Sequence, residues 1–445
     1  MRRILGTVPI LFILASLVPS GIVEATSFEP DVGIPLPVGT MSAFDFDIAV
    51  AGPEARISWY DQLASGSFQA AYASIATNGT PPRSDVLPFV DAISSALRVR
   101  VAALPLGRFA FAWQDAAGTI WTAIQEDTGW RGPMPTFTSL PDPEGGFDLA
   151  AWGDWLYVAW VEANGFNGTL VVSRVSPVDL YSKAESRVDD HLTARKFEPS
   201  LTARGSEAYV AWRRGTPTES AVFAAHGPVN GTWPSPTSVT RDLTEPYEFR
   251  PRALLLPNGT FGVMWQDWAP IRDGTGGPET FVALATSPSG SFEAPLDLGA
   301  AVGAAFFDDP AVAVDDSGGL RVVWLDGDPA TQTGRFRVMY AESDAAWAAF
   351  SPPRKLNSDS STLGREAPVI GFGAAGRVFV AWGDRRDGGL SRPYLAISSG
   401  PAGPPGTPPW LPLALTLGPA GAGVAMGLGA HILASRLKRE PKGRT

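Results

Sequence analysis

Charged residues recur at one position of a repeated pattern along this chain. The position lies at the start of a short apolar segment, and in several repeats a proline follows it directly. Allowing one or two residues of register, its occupants are Asp45, Arg100, Asp148, Glu198, Arg250, Asp309 and Glu366. Carboxylates and guanidiniums that converge bind polar ligands through charge-assisted hydrogen bonds. The pattern predicts a polar ligand site if the fold brings these positions together; the alternative is that the starts of the segments are simply solvated.

Tryptophan sets the period of the repeat. Short runs typical of β-strands end on Trp59, Trp113, Trp160, Trp212, Trp265, Trp324 and Trp382, at intervals of 47 to 59 residues. A recurrence of this length is the sequence signature of a repeat architecture. Each unit contains four short strand-like segments joined by turns, which is typical of a β-propeller blade. The sequence predicts an all-β, seven-bladed propeller over residues 26–399, with six or eight blades as alternatives.

The seventh unit lacks a fourth strand of its own, because the sequence after Ser398 is rich in glycine and proline. The missing piece is found near the other end of the chain. The segment Ser27–Leu36 is similar to Ser291–Leu298, the outer strand of the fifth unit. We therefore expect the N-terminal segment to complete the last blade and close the ring.

The repeated aromatic and acidic residues have structural interpretations. We expect each repeat tryptophan to fill the space between neighbouring blades, since an indole buries a large apolar area. Two positions after the tryptophan, six of the seven units carry an acidic residue: Asp61, Asp115, Glu162, Asp267, Asp326 and Asp384. A carboxylate at a strand end bonds the backbone N–H groups of the following loop. A ligand role is the alternative for these acids, and a sugar-stacking role is the alternative for the tryptophans outside the repeat.

The two ends of the chain are typical of an exported, anchored protein. Residues 1–25 have two arginines, an apolar run and small residues at the end, which predicts a signal peptide; an uncleaved anchor is the alternative. Residues 400–409 form a Gly/Pro-rich stalk, and 410–435 are apolar enough for a transmembrane helix. The basic tail 436–445 predicts the cytoplasmic side. We expect a single-pass protein of the cell membrane with its propeller outside.

Composition excludes several function classes. The chain has no cysteine, so disulfides and thiolate metal sites are absent. The formal net charge is −10, of which the tail contributes +4 and residues 1–25 contribute +1, so residues 26–435 carry −15. A surface this negative repels nucleic acid and disfavours it as a partner. We expect no cofactor. Calcium is the weaker alternative, held by Asp45, Glu198, Asp308 and Asp309, because calcium prefers converging oxygen ligands.

Two further patterns concern modification and assembly. Asn-Gly-Thr occurs at Asn78, Asn167, Asn230 and Asn258. Each copy fits the N-glycosylation pattern, although Asn-Gly is also a preferred hairpin turn. Within the apolar C-terminal stretch, Gly423 and Gly427 form a small-xxx-small pattern that could pair two helices, or could simply reflect composition.

The order of elements within a unit resembles the BNR or Asp-box propellers of the sialidase superfamily. In that family a Ser-x-Asp-x-Gly-x-x-Trp turn joins the third and fourth strands. Here the corresponding turns are degenerate: Gln125–Trp130, Gly227–Trp233, Ser287–Phe292 and Ser343–Trp347. The resemblance covers residues 27–399 as architecture. It implies a site with three arginines that bind a substrate carboxylate, a tyrosine activated by a glutamate, and an aspartate that acts as acid and base.

Function is predicted less sharply than fold. The favoured hypothesis is an extracellular recognition or adhesion module without catalysis, which binds a glycan or a protein at the mouth of the channel. A divergent glycosidase of sialidase type is the alternative, and a structural component of the cell surface is the third hypothesis. Catalysis by histidine is disfavoured, because the chain has only His191, His226 and His431. An arginine cluster beside a tyrosine and a glutamate would favour the enzyme.

Overall fold

The computed structural model describes residues 26–399 except 77–79, 90–97, 137–144, 164–167, 191–193, 216–219, 241–247, 273–276, 287–290, 305–306, 328–336, 360–364, 374–375 and 389. These residues belong to a compact unit that ends at Gly400. The predicted signal peptide, stalk, membrane helix and tail lie outside the described residues. Within the described part of the chain, no helix is long and apolar enough to cross a bilayer.

The described residues form seven antiparallel sheets of four strands each, which confirms the seven-bladed propeller. Blade 1 comprises β2 (Thr40–Ala51), β3 (Glu54–Leu63), β4 (Phe68–Ala76) and β5 (Arg83–Val86). Blade 2 comprises β6 (Arg98–Ala103), β7 (Phe109–Gln114), β8 (Ile120–Glu126) and β9 (Gly129–Pro135). Blade 3 comprises β10 (Phe147–Trp152), β11 (Trp155–Glu162), β12 (Thr169–Val175) and β13 (Ser182–Asp189).

The next three blades follow the same order. Blade 4 comprises β14 (Arg195–Arg204), β15 (Glu207–Gly215), β16 (Ser220–Pro228) and β17 (Thr237–Ser238). Blade 5 comprises β18 (Glu248–Leu255), β19 (Phe261–Asp267), β20 (Glu279–Leu284) and β21 (Leu296–Asp297). Blade 6 comprises β22 (Asp308–Val314), β23 (Leu320–Asp326), β24 (Arg337–Glu342) and β25 (Arg354–Lys355). The short helices are a 3₁₀ turn at Pro105–Gly107, α1 (Ala269–Arg272) and α2 (Leu298–Val302).

Blade 7 is built from both ends of the propeller, as the sequence predicts. Its strands are β26 (Arg365–Phe372), β27 (Val378–Asp384), β28 (Arg392–Ile397) and, on the outside, β1 (Val32–Gly33). Val32 lies opposite Leu395 in this pairing, and a further bridge joins Phe28 to Ser398. The inner strands contact one another all round the ring, from β2 through β22 to β26 and back to β2. The ring is therefore closed.

The repeat tryptophans hold neighbouring blades together. All seven are buried, with at most 3 % of the side chain exposed. Trp59 of blade 1 packs in one apolar cluster with Phe379 and Ala381 of blade 7, and Trp324 of blade 6 clusters with Met264 of blade 5. Each of these indoles fills the gap towards the preceding blade. The tryptophans thus fill the space between neighbouring blades, as the sequence predicts.

The acidic residue after the tryptophan also has the predicted structural role. Asp115 accepts hydrogen bonds from the backbone N–H groups of Ala117 and Thr119, both at 2.9 Å, and thereby caps the loop after β7. In blade 7 the carboxylate of Asp384 does the same for Arg386 and also accepts the indole N–H of Trp382 at 3.1 Å. These carboxylates serve the blades and not a ligand.

A buried network of charges fixes the seam where the N-terminal segment meets blades 6 and 7. The side chain of Asp31 is fully buried and lies 2.6 Å from the guanidinium of Arg386, which also pairs with Asp384 at 2.6 Å. Arg365 pairs with Asp384 at 3.0 Å and with Asp359 at 2.6 Å. Because buried ions are stable only when they are paired, removal of one member leaves an uncompensated charge.

Replacement of Asp31 by Asn is expected to lower the free energy of unfolding by about 1–3 kcal/mol, because Arg386 keeps its charge and loses a buried partner. Thermal unfolding of the full-length protein measures the effect as a lower Tm. Asp85→Asn is the matched control, since Asp85 is exposed on the short edge strand β5. Equal Tm values for the two variants would show that the network does not stabilise the closed ring.

Candidate functional site

Six of the seven charged residues that the sequence singles out line one cavity. The cavity lies among the inner strands of all seven blades and has a volume of about 190 Å³. Its charged lining consists of Asp45, Arg98, Arg100, Asp148, Glu198, Arg250, Arg252 and Asp309. The structure thus brings six of the seven positions to one cavity, and a ligand role for them stays a prediction. Glu366 does not line the cavity and instead pairs with Arg385 at 2.9 Å.

The charged residues do not form one ring, because only some inner strands carry a β-bulge. In blades 1, 4, 5 and 6 the pairing of the inner strand shifts register at Asp45, Glu198, Arg250 and Asp309. These four residues have left-handed backbone, with φ of 52°, 51°, 54° and 46°. A bulge bends its strand and re-aims the side chain that it carries. A residue other than glycine with this backbone costs of order 1–3 kcal/mol, and such strain is concentrated at functional sites.

Three positions predicted for the same ring lie in other rows. The inner strands of blades 2 and 3 pair without a bulge, so Arg100 and Asp148 share a row with Asp47 of blade 1. In blade 7 the register shift follows Glu366, which therefore precedes the bulge. The sequence repeat assigned these residues to the same ring, because the repeat does not show which inner strands carry a bulge and where it begins.

The second row ties adjacent inner strands together. Asp47 accepts the backbone N–H of Val101 in the next blade at 2.8 Å, and Asp148 accepts that of Leu201 at 2.7 Å. The hydroxyl of Ser200 accepts the N–H of Ala253 in the same manner at 3.1 Å. Asp148 therefore has a structural function, although it lines the cavity.

Ion pairs fix the carboxylates of the bulge row. Asp45 accepts hydrogen bonds from Arg100 at 3.0 and 3.4 Å. Glu198 accepts the backbone N–H of Arg250 at 2.9 Å, and the side chain of Arg250 forms an ion pair with Asp309. Within the described residues, no group of three or more acidic or histidine side chains is arranged as a metal site. Calcium was expected at Asp45, Glu198, Asp308 and Asp309. Three of these four carboxylates already accept a hydrogen bond from Arg100 or Arg250 or form an ion pair with one of them.

Two arginines of the cavity have no ion pair with any described residue. Arg252 is exposed. Arg98 is half-buried and lines the cavity together with Asp45 of blade 1. A guanidinium without a carboxylate partner offers its fork of donors to a ligand. Arg98 and Arg252 are therefore better candidates for ligand contact than Arg100 and Arg250. Sequence reasoning missed both residues, because they lie two positions from the ones that it singled out.

A tyrosine completes the rim between blades 1 and 7. Tyr60 lies opposite Phe44 in the pairing of β2 with β3 and stacks on it, with ring centroids 5.5 Å apart. Burial raises the pKa of the Tyr60 phenol, and the charges of Asp45 and Glu366 raise it further, while Arg98 lowers it. Tyr60 thus lies within the field of two carboxylates and an arginine. Its only sequence signal is its place directly after Trp59.

Burial also raises the pKa of Glu366, and the hydrogen bond from Arg385 opposes the effect. A carboxyl group with a raised pKa holds a proton closer to neutral pH and can donate it to a leaving group. Asp45 is held by Arg100 and faces the same tyrosine. The two carboxyl groups whose charges act on Tyr60 thus lie in different environments.

Of the four Asn-Gly-Thr sites, two lie in the described residues. Asn230 and Asn258 are exposed in turns, and the side chain of Asn258 accepts the backbone N–H of Thr260 at 2.9 Å. Asn78 and Asn167 lie outside the described residues. Glycosylation stays a prediction at all four.

The sequence matches no protein-family profile and no curated protein. Solved structures do share its fold. The polysaccharide lyase Uly1 is 9 % identical and has a TM-score of 0.54, covering 84 % of this chain and 99 % of its own. The GH93 α-L-arabinofuranosidase of Fusarium graminearum, in complex with arabinobiose, is 11 % identical, with a TM-score of 0.50 and coverage of 83 % and 97 %. An ulvan lyase of family PL25 is 9 % identical, with a TM-score of 0.54 and coverage of 84 % and 96 %.

These similarities establish the propeller fold and correct the functional expectation. The three solved structures named above are a glycoside hydrolase and two polysaccharide lyases. The preferred hypothesis of a recognition or adhesion module without catalysis was wrong, because these propellers of the same fold are carbohydrate-active enzymes. The resemblance to sialidase-superfamily propellers is confirmed for the seven-bladed architecture and not for sialidase chemistry.

The hydrogen bond between Asp47 and the backbone of Val101 makes the stability of the folded protein depend on pH. Burial raises the pKa of Asp47 from 3.8 to about 6, and the charge of Asp148 adds to the effect, while Arg100 and the two backbone donors oppose it. The folded protein thus binds this proton more tightly than the unfolded chain does. Its contribution to stability is complete below pH 4 and is lost as the pH rises towards 6.

We expect the difference in free energy of unfolding between the wild type and Asp47→Asn to fall between about pH 4 and pH 6, by at most roughly 3 kcal/mol. Denaturant unfolding at a series of pH values measures this difference. Asp127→Asn, in an exposed turn of blade 2, is the control. A wild-type-minus-Asp47→Asn difference that stays constant with pH would contradict the prediction.

Proposed function

We propose that this protein is a glycoside hydrolase whose active site is the channel mouth beside blades 1 and 7. The observation that carries the proposal is that the charges of Asp45, Arg98 and Glu366 all act on Tyr60, while Asp45 and Arg98 line the cavity. Glycosidases use a pair of carboxyl groups, one of which donates a proton to the leaving oxygen while the other activates water or attacks the sugar. The similarity in fold to carbohydrate-active propellers supports the same conclusion.

The catalytic roles of Glu366 and Asp45 follow from the different environments of their carboxyl groups. Glu366 is the general acid, because burial raises its pKa and keeps it protonated at a higher pH than an ordinary glutamate. Asp45 is the base or nucleophile, positioned by hydrogen bonds that it accepts from Arg100 at 3.0 and 3.4 Å. Tyr60 keeps its proton, since its pKa is raised, and therefore donates a hydrogen bond to the sugar or to a carboxylate. This disfavours the tyrosine nucleophile that the sialidase resemblance implies.

The substrate is a glycan that ends in one acidic sugar. Arg98 and Arg252 line the cavity without an ion pair among the described residues, so each can bind a carboxylate of the sugar bidentately. The cavity, at about 190 Å³, is smaller than the usual ligand pocket of about 300–1,000 Å³ and suits a single ring. The acidic protein would repel a long polyanion, which favours a terminal charge over a charged polymer.

A polysaccharide lyase is the second candidate. Two of the propellers similar in fold are lyases, and an arginine beside a tyrosine also suits proton abstraction next to a uronate carboxylate. The products distinguish the two activities. Hydrolysis consumes water and yields a saturated sugar, whereas elimination yields a new double bond that absorbs ultraviolet light.

The membrane topology is part of the same proposal. The sequence of residues 1–25 and 410–445 supports export of the propeller and a single C-terminal anchor. The active site would then act on glycans outside the cell. Protease protection of the tail in sealed vesicles, with digestion of the propeller, tests this orientation. Pairing through Gly423 and Gly427 stays a prediction.

The full-length protein is expected to hydrolyse one member of a panel of fluorogenic sialosides, uronosides and arabinofuranosides. Glu366→Gln should lower kcat by about 10²–10⁴-fold, the usual contribution of a general acid. Arg98→Ala should mainly raise KM. Glu54→Gln is the matched control, because Glu54 lies at the start of β3, at the opposite end of blade 1 from the site, and pairs with Arg56 at 3.0 Å.

Absence of turnover by the folded wild type on both glycosides and uronate polymers would refute the enzyme proposal. An unsaturated product would replace hydrolysis by elimination at the same site. Full activity of Glu366→Gln would remove that residue from the mechanism.

A further inference from the structure

The face of the propeller opposite the channel mouth carries exposed apolar side chains on blades 2 and 3. Because the strands are antiparallel, this lower face is formed by the turns between the first and second strands and by the turns after the third strands. Its exposed apolar residues in blades 2 and 3 are Leu106, Trp152, Val178 and Tyr181, which are 88 %, 46 %, 73 % and 52 % exposed. Single exposed apolar residues are normal, whereas a contiguous group of them marks an interaction site.

An ion pair between the two blades brings the first two of these residues together. Arg108, in the turn of Leu106, lies 3.0 Å from the carboxylate of Asp154. Trp152 directly precedes the turn that contains Asp154. The turn between β6 and β7 is thus fixed beside the turn between β10 and β11.

The turn after β12 belongs to the same group. Arg131 of blade 2 donates to the carbonyls of Pro177 and Val178 at 2.8 and 3.1 Å, across the boundary between the blades. Tyr181 closes this turn, because its carbonyl accepts the backbone N–H of Ser176 at 3.1 Å. The four exposed side chains therefore share the lower face of two joined blades, and we call them the apolar patch.

Leu106 presents its side chain from a strained backbone. Its φ is 64°, in the left-handed region that residues other than glycine rarely adopt. Strain of this kind is concentrated at functional positions. The turn thus holds a leucine in water at an energetic cost, which a contact with an apolar partner would offset.

Both ends of the propeller chain also lie on the lower face. The N–H of Ser398, directly after β28, bonds the carbonyl of Val378 at the start of β27 at 2.9 Å. The N–H of Ser399 bonds the carbonyl of Ser27 at 2.9 Å. The chain therefore leaves blade 7 on the face that carries the apolar patch, and the stalk 400–409 begins there.

A cavity between blades 7 and 1 extends the apolar surface towards this exit. It has a volume of about 330 Å³ and lies at the lower ends of β4 and β28, which contribute Ile75 and Ile397. The half-exposed Val32 of the closing strand β1 also lines it. Glu29 and Arg377 are its charged lining residues.

We propose that the lower face of blades 7, 1, 2 and 3 rests on a lipid bilayer, with the apolar patch in the interfacial region. Trp and Tyr are enriched at membrane–water interfaces, where their rings meet the apolar layer and their polar atoms meet the headgroups. The stalk of ten residues spans at most about 36 Å, so a membrane helix over 410–435 would keep this face near the bilayer. The inference rests on the proposed membrane topology and not on the proposed hydrolase activity.

The contact is apolar rather than electrostatic. Arg108 pairs with Asp154, and Lys183 pairs with Asp179, so the charges beside the patch are of both signs and partly neutralise each other. The bilayer therefore needs no anionic lipid. The channel mouth, at the other end of the inner strands, then points away from the membrane towards glycans in the medium.

Site-directed spin labelling tests this contact, because the chain has no cysteine and a single introduced thiol is the only one. Val178→Cys places the label in the apolar patch. Ala116→Cys is the matched control, in the exposed turn after β7 at the other end of blade 2. The full-length protein is reconstituted in phosphatidylcholine vesicles, with oxygen, which concentrates in lipid, or a water-soluble nickel complex as the collision partner of the label.

The ratio of oxygen to nickel collision rates should be several-fold higher for Val178→Cys than for Ala116→Cys. Adding Leu106→Ser and Trp152→Ser to Val178→Cys should lower the ratio to the control value, because two side chains that insert into lipid are lost. Both side chains are exposed, so the Tm should stay unchanged and show that the fold is retained.

The outcomes separate this inference from the membrane topology. Equal ratios for the two labels, in protein that floats with the vesicles and has a protected tail, would overturn the inference and leave the topology standing. Protein that does not float with the vesicles would refute both. A label shielded from oxygen and nickel alike, with dipolar broadening between labels, would show that a second copy covers the patch instead of lipid.

Discussion

Burial of one indole between each pair of neighbouring blades is the interaction on which this structure depends. A four-stranded sheet of this size cannot bury enough apolar surface alone, so each blade is stable only against its neighbours. The tryptophan lies near the end of the second strand, where β2, β6 and their counterparts begin. By fixing this end of every blade, the wedges also set the distances among the residues at the channel mouth.

The same constraint explains which features could be predicted from sequence. The repeat of tryptophan predicts the number of blades, and the similarity of Ser27–Leu36 to an outer strand predicts the closure of blade 7. Register was predicted poorly where the local signal is missing. Blades 2 and 3 pair without the bulge, which the repeat does not reveal, so Arg100 and Asp148 lie in a row other than the one assigned to them.

The residues of the candidate site were predicted only in part, for a physical reason. Asp45 occupies a repeated position and can be found by alignment, whereas Glu366 lies just before that position in blade 7. Tyr60 and Arg98 occupy positions that differ from blade to blade, and their proximity arises from the junction of blades 1 and 2 with blade 7. In a repeat protein the departures from the repeat carry the chemistry.

Closure by β1 has a consequence for the order of folding. The outer strand of blade 7 comes from Val32–Gly33, while its neighbour β28 spans Arg392–Ile397. During synthesis Val32–Gly33 emerges from the ribosome long before Arg392–Ile397. The outer strand therefore has no partner until nearly the whole propeller has been synthesised. Contacts so distant in sequence form slowly. Ring closure is therefore the natural final step of folding, and until it occurs an open edge of blade 7 is available to other chains.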